Sequence, residues 1–318
     1  MSSVWSLNDV TLQSGSTRRL DRVSLEVQTG VTAVLGYSGA GKTSLLNLLV
    51  DFERPTSGSV RREIGNATLP VFWVPQNGGL WNHVSALKHV EMVLADVSGA
   101  AEWLDRFELS PRSHAMPSEL SQGERARLSV ARGLASDATA LVMDEPLAHV
   151  DPARLCGWFD LIVDAVCSSD TSTNSLVFST HQPELVLRYA DNVVCLDAGE
   201  CVFFGSVHDL YEKPADSRLA TLLGHGNWIS KDESSQWLDQ DFHGPGVVRP
   251  ERLRILPSDE QRLRVVTSRS LGSVTETTLA EESTGRERCF VHLTGQPIKA
   301  GEWVRLTFLG EDKNDGGE

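Results

Sequence analysis

Apolar residues fall in short continuous runs through the first two thirds of the chain, and most runs are followed by a helix-spaced pattern. "VTAVLG" (31–36) predicts a buried strand, and "TSLLNLLV" after it a helix. "PVFWVPQ" (70–76), "ALVMDE" (140–145), "SLVFST" (175–180) and "NVVCLD" (192–197) predict further strands. Runs of this length suit central parallel strands covered on both faces. Leu155, Trp158, Phe159, Ile162, Val163 and Val166 mark one face of a helix between two of them. Strand–helix alternation predicts an α/β fold. Residues 85–118 break it with helical periodicity and no strand, so they read as a helical insertion.

The texture changes after Leu223, which makes 1–223 the first domain. Residues 224–246 are polar and rich in Gly, Asp and Ser, as a linker would be. "GVVRPERLRILP", "RLRVVTSRSLGSVTETTLAEE", "RCFVHLTG" and "EWVRLTFLG" then predict the strands of a small β-barrel or sandwich over 247–311. The end, "EDKNDGGE", predicts a disordered tail at 312–318. Arg249, Arg252, Arg254, Arg262 and Arg264 read as solvent-facing strand residues rather than as an anion site.

Charge narrows the partners. With 29 basic and 43 acidic residues the net charge is −14. Broad contact with nucleic acid is disfavoured, because phosphate contacts need clustered Lys and Arg. The N-terminus "MSSVWSLNDV" lacks the pattern of a signal peptide. No apolar run approaches the ~18 residues that cross a bilayer, so any membrane role must be borrowed from a partner. The five cysteines form no Cys-x-x-Cys pair and read as small buried hydrophobes in a reducing compartment.

Two motifs carry phosphate chemistry. Gly36, Gly41, Lys42 and Thr43 satisfy G-x-x-x-x-G-K-[ST], between a predicted strand and a predicted helix. The loop Gly36, Tyr37, Ser38, Gly39, Ala40, Gly41, Lys42, Thr43, Ser44 would turn backbone N–H groups and a helix N-terminus toward phosphate oxygens. Lys42 would reach the β- and γ-phosphates, and Thr43 would hold Mg²⁺. "ALVMDEP" supplies two carboxylates. Successive strand residues face opposite ways, which assigns Asp144 to the metal and Glu145 to the attacking water. A third stretch, "LSQGE", pairs Ser121 with Glu124 in a capping-box spacing. A capped helix alone does not explain Gly123, since glycine costs a helix about 1 kcal/mol relative to Ala. Its bare backbone suits something that approaches closely.

In this order and at these separations, the phosphate loop, "LSQGE" and "LVMDEP" resemble the nucleotide-binding subunit of an ABC transporter, over roughly 1–223. "LSQGE" resembles that family's signature motif, Gln76 its Q-loop glutamine, His181 its switch histidine and Asp151, in "AHVDP", its D-loop aspartate. The resemblance implies a P-loop NTPase fold that binds ATP and Mg²⁺. It implies catalytic roles for Glu145, His181 and Gln76, and metal contacts from Thr43, Gln76 and Asp144. It also implies a head-to-tail homodimer, in which Ser121 and Gly123 of one copy contact the γ-phosphate held by the other. Glu145 would be a general base or would position water. Gln122 and Glu124 vary the signature. "TLQSGSTRRL" lacks the aromatic residue that usually stacks on adenine; Trp5 is the only aromatic before Tyr37, and its position is wrong. His149 in the D-loop region is unusual and suits a structural or interface role.

The last third resembles the TOBE-type domain appended to importer ATPases; "GVVRPERLRI" looks like its opening strand. Together the resemblances imply the energy-coupling ATPase of a bacterial ABC importer for a sugar, polyamine, ferric iron, sulfate, molybdate or similar solute. It would sit on the cytoplasmic face, bound to transmembrane permease subunits and indirectly to a solute-binding protein. Leu80 and Trp81, just past Gln76, would meet the permease or pack inside the helical insertion. The alternatives are the separate ATPase subunit of an exporter, or a soluble ABC-type ATPase acting on nucleic acid or ribosomes.

Overall fold

A computed structural model of the chain describes residues 2–64, 68–168, 174–238, 246–295 and 298–309. Two units pack separately, Met1–Val207 and His208–Glu318. The tail expected to be disordered lies outside the described residues, as does 239–245.

The first unit opens with two long strands, β1 (Ser3–Ser14) and β2 (Thr17–Gln28), joined by Gly15 and Ser16. Trp5, Leu7, Val10 and Leu12 of β1 meet Leu20, Val23, Leu25 and Val27 of β2 in one apolar core. Then follow β3 (Gly30–Leu35), the phosphate loop, α1 (Lys42–Leu49), β4 (Ser57–Arg62) and β5 (Val71–Val74). Strands β2, β1 and β4, in that order, form an antiparallel sheet. The sequence reading contained neither β1, β2 nor β4.

The expected helical insertion holds α2 (Ala86–Glu91), α3 (Ala100–Arg106) and short 3-10 turns, and no strand among its residues. It leads into α4 (Gln122–Ala135). The remaining elements of the unit are β6 (Ala140–Met143), α5 (Pro152–Cys167), β7 (Ser175–Thr180), α6 (Pro183–Tyr189), β8 (Asn192–Asp197) and β9 (Glu200–Ser206). They complete a six-stranded sheet in the order β5-β6-β7-β3-β8-β9, parallel except for β9. Strands β6 and β7 are buried throughout, as continuous apolar runs predict. Leu155, Trp158, Phe159, Ile162 and Val166 line the buried face of α5.

Helix α7 (Val207–Glu212) crosses into the second unit, which continues with α8 (Ser217–Leu222), β10 (Asn227–Ile229), α9 (Lys231–Trp237), β11 (Gly246–Val248), β12 (Leu253–Pro257), β13 (Leu263–Ser270), β14 (Val274–Glu281), β15 (Glu287–Leu293) and β16 (Trp303–Phe308). An antiparallel sheet runs β12-β16-β13-β14-β15, and β10 pairs with β11. Leu253, Leu263, Val265, Leu279, Phe290, Val304 and Leu306 form its core. "GVVRPERLRILP" is not one strand: the chain turns at 249–252 between β11 and β12. Arg249 departs from the expected solvent-facing position. It is 1% exposed, stacks on the Tyr211 ring, and donates to the carbonyls of Tyr211, Ala220 and His225. Three carbonyls satisfy it where the pattern suggested water.

The cysteines also depart from the expectation. Cys195 is buried, Cys156 and Cys201 are partly so, and Cys167 and Cys289 are exposed.

Candidate active site

The phosphate loop forms where β3 leaves the sheet and α1 begins. Gly41 caps α1 at φ +105°, in the left-handed region, and a Cβ there would come within 2.8 Å of the Arg19 carbonyl. Lys42 starts the helix and is buried; its ammonium donates to the carbonyls of Gly36 (2.8 Å) and Tyr37 (3.3 Å) and lies 3.4 Å from Glu145 Oε1.

Asp144 and Glu145 follow β6. Asp144 is buried, and each of its oxygens has a partner. Thr43 donates to Oδ2 at 2.7 Å, and the Ser179 hydroxyl of β7 donates to Oδ1. Ser179 in turn accepts from the Glu145 backbone N–H at 2.8 Å. Strand alternation is not what parts the two acids, because β6 ends at Met143. Glu145 turns at φ +46°, a left-handed conformation that non-glycine residues rarely adopt. Its carboxylate then faces Lys42, Gln76 Nε2 at 3.5 Å and His181 Nδ1 at 3.4 Å. These contacts are long for hydrogen bonds.

A cavity of about 370 Å³ runs along the phosphate loop. Ser38, Gly39, Gly41, Lys42, Thr43, Ser44, Gln76 and Glu145 line it, together with Thr17, Arg18 and Arg19 of β2. Gly36, Tyr37 and Ala40 do not; Tyr37 is exposed and Ala40 buried beneath the loop. No aromatic ring lines this wall. Trp5 is buried in the core, its indole N–H donating to the Leu49 carbonyl at 2.9 Å, so it serves packing.

The donors beside the loop decide whether Mg²⁺ fits. Among the described residues no three His, Cys, Asp or Glu side chains are arranged to hold a metal ion by themselves. The Thr43 hydroxyl and the Asp144 carboxylate meet beside the loop, and two hard oxygens fit a metal that completes its shell with phosphates and water.

Ser121 caps α4: Glu124 N–H donates to its hydroxyl at 3.2 Å, and its own N–H donates to Glu124 Oε2 at 2.8 Å. That N–H is the main influence holding the Glu124 carboxyl below the usual carboxylate range. Neither Ser121 nor Gly123 lines the phosphate-loop cavity, and nor does Asp151, whose carboxylate caps α5 through Ala153 N–H. Gly123 has a reason inside the chain: a Cβ there would stand 3.1 Å from the His149 carbonyl. His149 itself is exposed, and its backbone is what approaches α4.

Sequence reasoning missed Ser179. Its signal was a hydroxyl near the end of a buried apolar run, two residues before His181.

The family model described as ABC transporter matches residues 20–148. The thiamine import ATP-binding protein ThiQ of Mesorhizobium japonicum is 34% identical, over 64% of this chain and 85% of that protein. The Fe(3+) ions import ATP-binding protein FbpC of Serratia marcescens is 26% identical, over 97% of this chain and 98% of that protein. The fold resembles the dimeric post-hydrolysis state of the ATP-binding cassette MJ0796 bound to ADP and Pi, with TM-score 0.56 and 22% identity over 64% of this chain and 98% of that one.

Proposed function

The chain belongs to the ABC transporter family as an ATP-binding subunit and is an ABC-type ATPase, and on that premise we propose that it couples ATP hydrolysis to solute import. Two copies bind head to tail and enclose two ATP. In each site Lys42 and the loop amides hold the phosphates, and Thr43, Asp144 and Gln76 would hold Mg²⁺, which would supply charge neutralisation for the γ-phosphate. Glu145 orients the attacking water, and His181 contacts the γ-phosphate. Ser121 and Gly123 come from the opposite copy, and Asp151 lies at the junction between copies.

The observation that carries this reading is the division of the site. Lys42, Thr43, Gln76 and Glu145 line the phosphate-loop cavity, with Asp144 against Thr43 and His181 against Glu145, while Ser121 and Gly123 lie outside that cavity. A half-site of this kind needs a second chain. Ser121 presents a helix N-terminus, which favours an anion.

Permease subunits complete the assembly and hold the chain at the cytoplasmic face of the membrane. No helix among the described residues is long and apolar enough to cross a membrane. The half-exposed Trp81 belongs to the permease contact. Of the solutes considered, ferric iron gains support from the full-length match to FbpC, which includes the second unit. A solute-binding protein would deliver it to the permease.

The test uses size-exclusion chromatography and turnover. Glu145→Gln is expected to bind ATP with Mg²⁺, to elute as a dimer and to hydrolyse very slowly. A mixture of Lys42→Ala and Ser121→Arg chains is expected to recover activity that neither has alone, because each heterodimer retains one intact site. A Glu145→Gln chain that turns over at the parent rate and stays monomeric with ATP would reject the reading.

A further inference from the structure

Arg132 is a buried cation with an unusual set of partners. It lies in the last turn of α4 and is 5% exposed. Its guanidinium donates to two successive carbonyls, Gly78 and Gly79, both at 3.0 Å. It lies 5.7 Å from the Phe72 ring and 5.6 Å from the Trp81 ring. Among the described residues no carboxylate pairs with it, and its Nε has no partner. Burial alone pulls its pKa down. Stability does not require a cation here, since a buried charge costs free energy that an apolar side chain of similar volume avoids. What the planar fork of donors supplies is a grip on two neighbouring carbonyls at once.

The gripped loop is held on other sides as well. Gly78 turns at φ +79°, and any side chain there would run into Ser129 of α4, so the loop backbone is seated on the helix. The Trp81 N–H donates to His89 Nε2 at 2.9 Å, and the His89 ring stacks on Trp81 with centroids 5.8 Å apart. His89 belongs to α2, which itself packs on α4. Yet Trp81 remains 48% exposed. At about 1.5 Å per residue, Arg132 stands about 16 Å along α4 from Ser121. One rigid helix therefore carries a phosphate-facing cap at its start and a clamp on an exposed aromatic loop near its end.

We propose that Arg132 is a positioning residue that ties the Gly78–Trp81 loop to α4, so that nucleotide clamped against Ser121 is read out at Trp81. The inference rests on the head-to-tail assembly proposed above for the nucleotide at Ser121. It adds the link by which that event reaches the surface assigned to the permease.

Fluorine NMR of the fluorotryptophan-labelled chain tests it in the Glu145→Gln background, with Trp81 assigned by its loss in Trp81→Phe. ATP with Mg²⁺ is expected to shift the Trp81 resonance in the parent. In Arg132→Met the shift is expected to vanish while ATP still drives dimerisation, and Arg132→Lys is expected to restore part of it. A merely structural role would lower the melting temperature and leave the ATP-linked shift intact, and a full shift in Arg132→Met overturns the inference. If Arg132→Met does not fold, Arg132→Lys decides: a reduced shift supports the link and a full one overturns it. Dimerisation of the parent with no change at Trp81 also overturns the link while leaving the assembly standing. Absence of an ATP-driven dimer in the parent overturns the assembly and, with it, this inference.

Discussion

Replacing Ser179 with alanine removes a hydroxyl that touches both acids of the site. The substitution removes a hydrogen bond to the buried Asp144 carboxylate and takes the acceptor from the Glu145 N–H. A bond to a charged group contributes about 1.5–3 kcal/mol, and leaving a partner unsatisfied costs about 1–3 kcal/mol. The Glu145 N–H is only partly buried, and water recovers some of its loss. A net cost of about 3 kcal/mol is therefore expected. In a unit of this size it lowers the melting temperature by about 6–12 °C. Turnover should fall as well, by at least about tenfold, because the same bond holds the turn that aims Glu145 and ~1.4 kcal/mol in a barrier is a factor of ten. Ser175→Ala is the control. That hydroxyl is buried in the same strand but donates to the neutral Asn174 side chain, so a loss of about 1 kcal/mol and unchanged turnover are expected. Calorimetry and a phosphate-release assay read both quantities. Equal melting shifts in the two variants, or parent-like turnover in Ser179→Ala, would refute the claim that Ser179 fixes the two acids.

Other expectations follow from the same geometry. With no aromatic ring on the wall formed by Thr17, Arg18 and Arg19, ATP and GTP should bind within about tenfold of each other, or ~1.4 kcal/mol, by competition of fluorescent nucleotide. A much larger preference for ATP would reveal base contacts these residues do not supply. Burial holds the His89 pKa below its ordinary value. The folded state therefore takes up its proton less readily than the unfolded state does. The stability this group contributes is present above the unfolded pKa of about 6.5 and is lost as pH falls through the folded value. Urea midpoints should fall with acid below pH ~6.5, and less steeply in His89→Gln; equal slopes would count against it. Alkylation should modify Cys167 and Cys289 first and spare Cys195, whose thiol is buried and pushed up to about 12, until the chain unfolds. Native modification of Cys195, read by mass spectrometry, would contradict its placement.

What was legible in the chain is what short-range pattern can carry. Strand β3, the glycine loop and α1 are contiguous, so one motif specifies them, and the capping box at Ser121 closes within one helical turn. The β1–β2 hairpin should also have been legible, since its turn is a two-residue Gly-Ser loop between alternating runs. It was obscured because register shifts break the period of two between Leu7 and Val10, beside Asp9 at φ +50° and Arg22 at φ +48°. Local pattern could mark Ser179 and Arg249 but not name what they bind. Their partners lie 35 residues away for Asp144, and 38, 29 and 24 residues away for Tyr211, Ala220 and His225.

Gly123 meets a demand inside its own chain that the local sequence pattern does not display. The absent side chain suits something that approaches the backbone closely, and the His149 carbonyl already occupies the near side. Both demands can hold together, because a Cβ projects from one side of the helix while the N–H groups of the first turn point along its axis. Gly123→Ala would then press on the D-loop of its own chain even without nucleotide. A loss of stability in the isolated monomer, before any dimer forms, would separate that intramolecular demand from the one the second copy imposes.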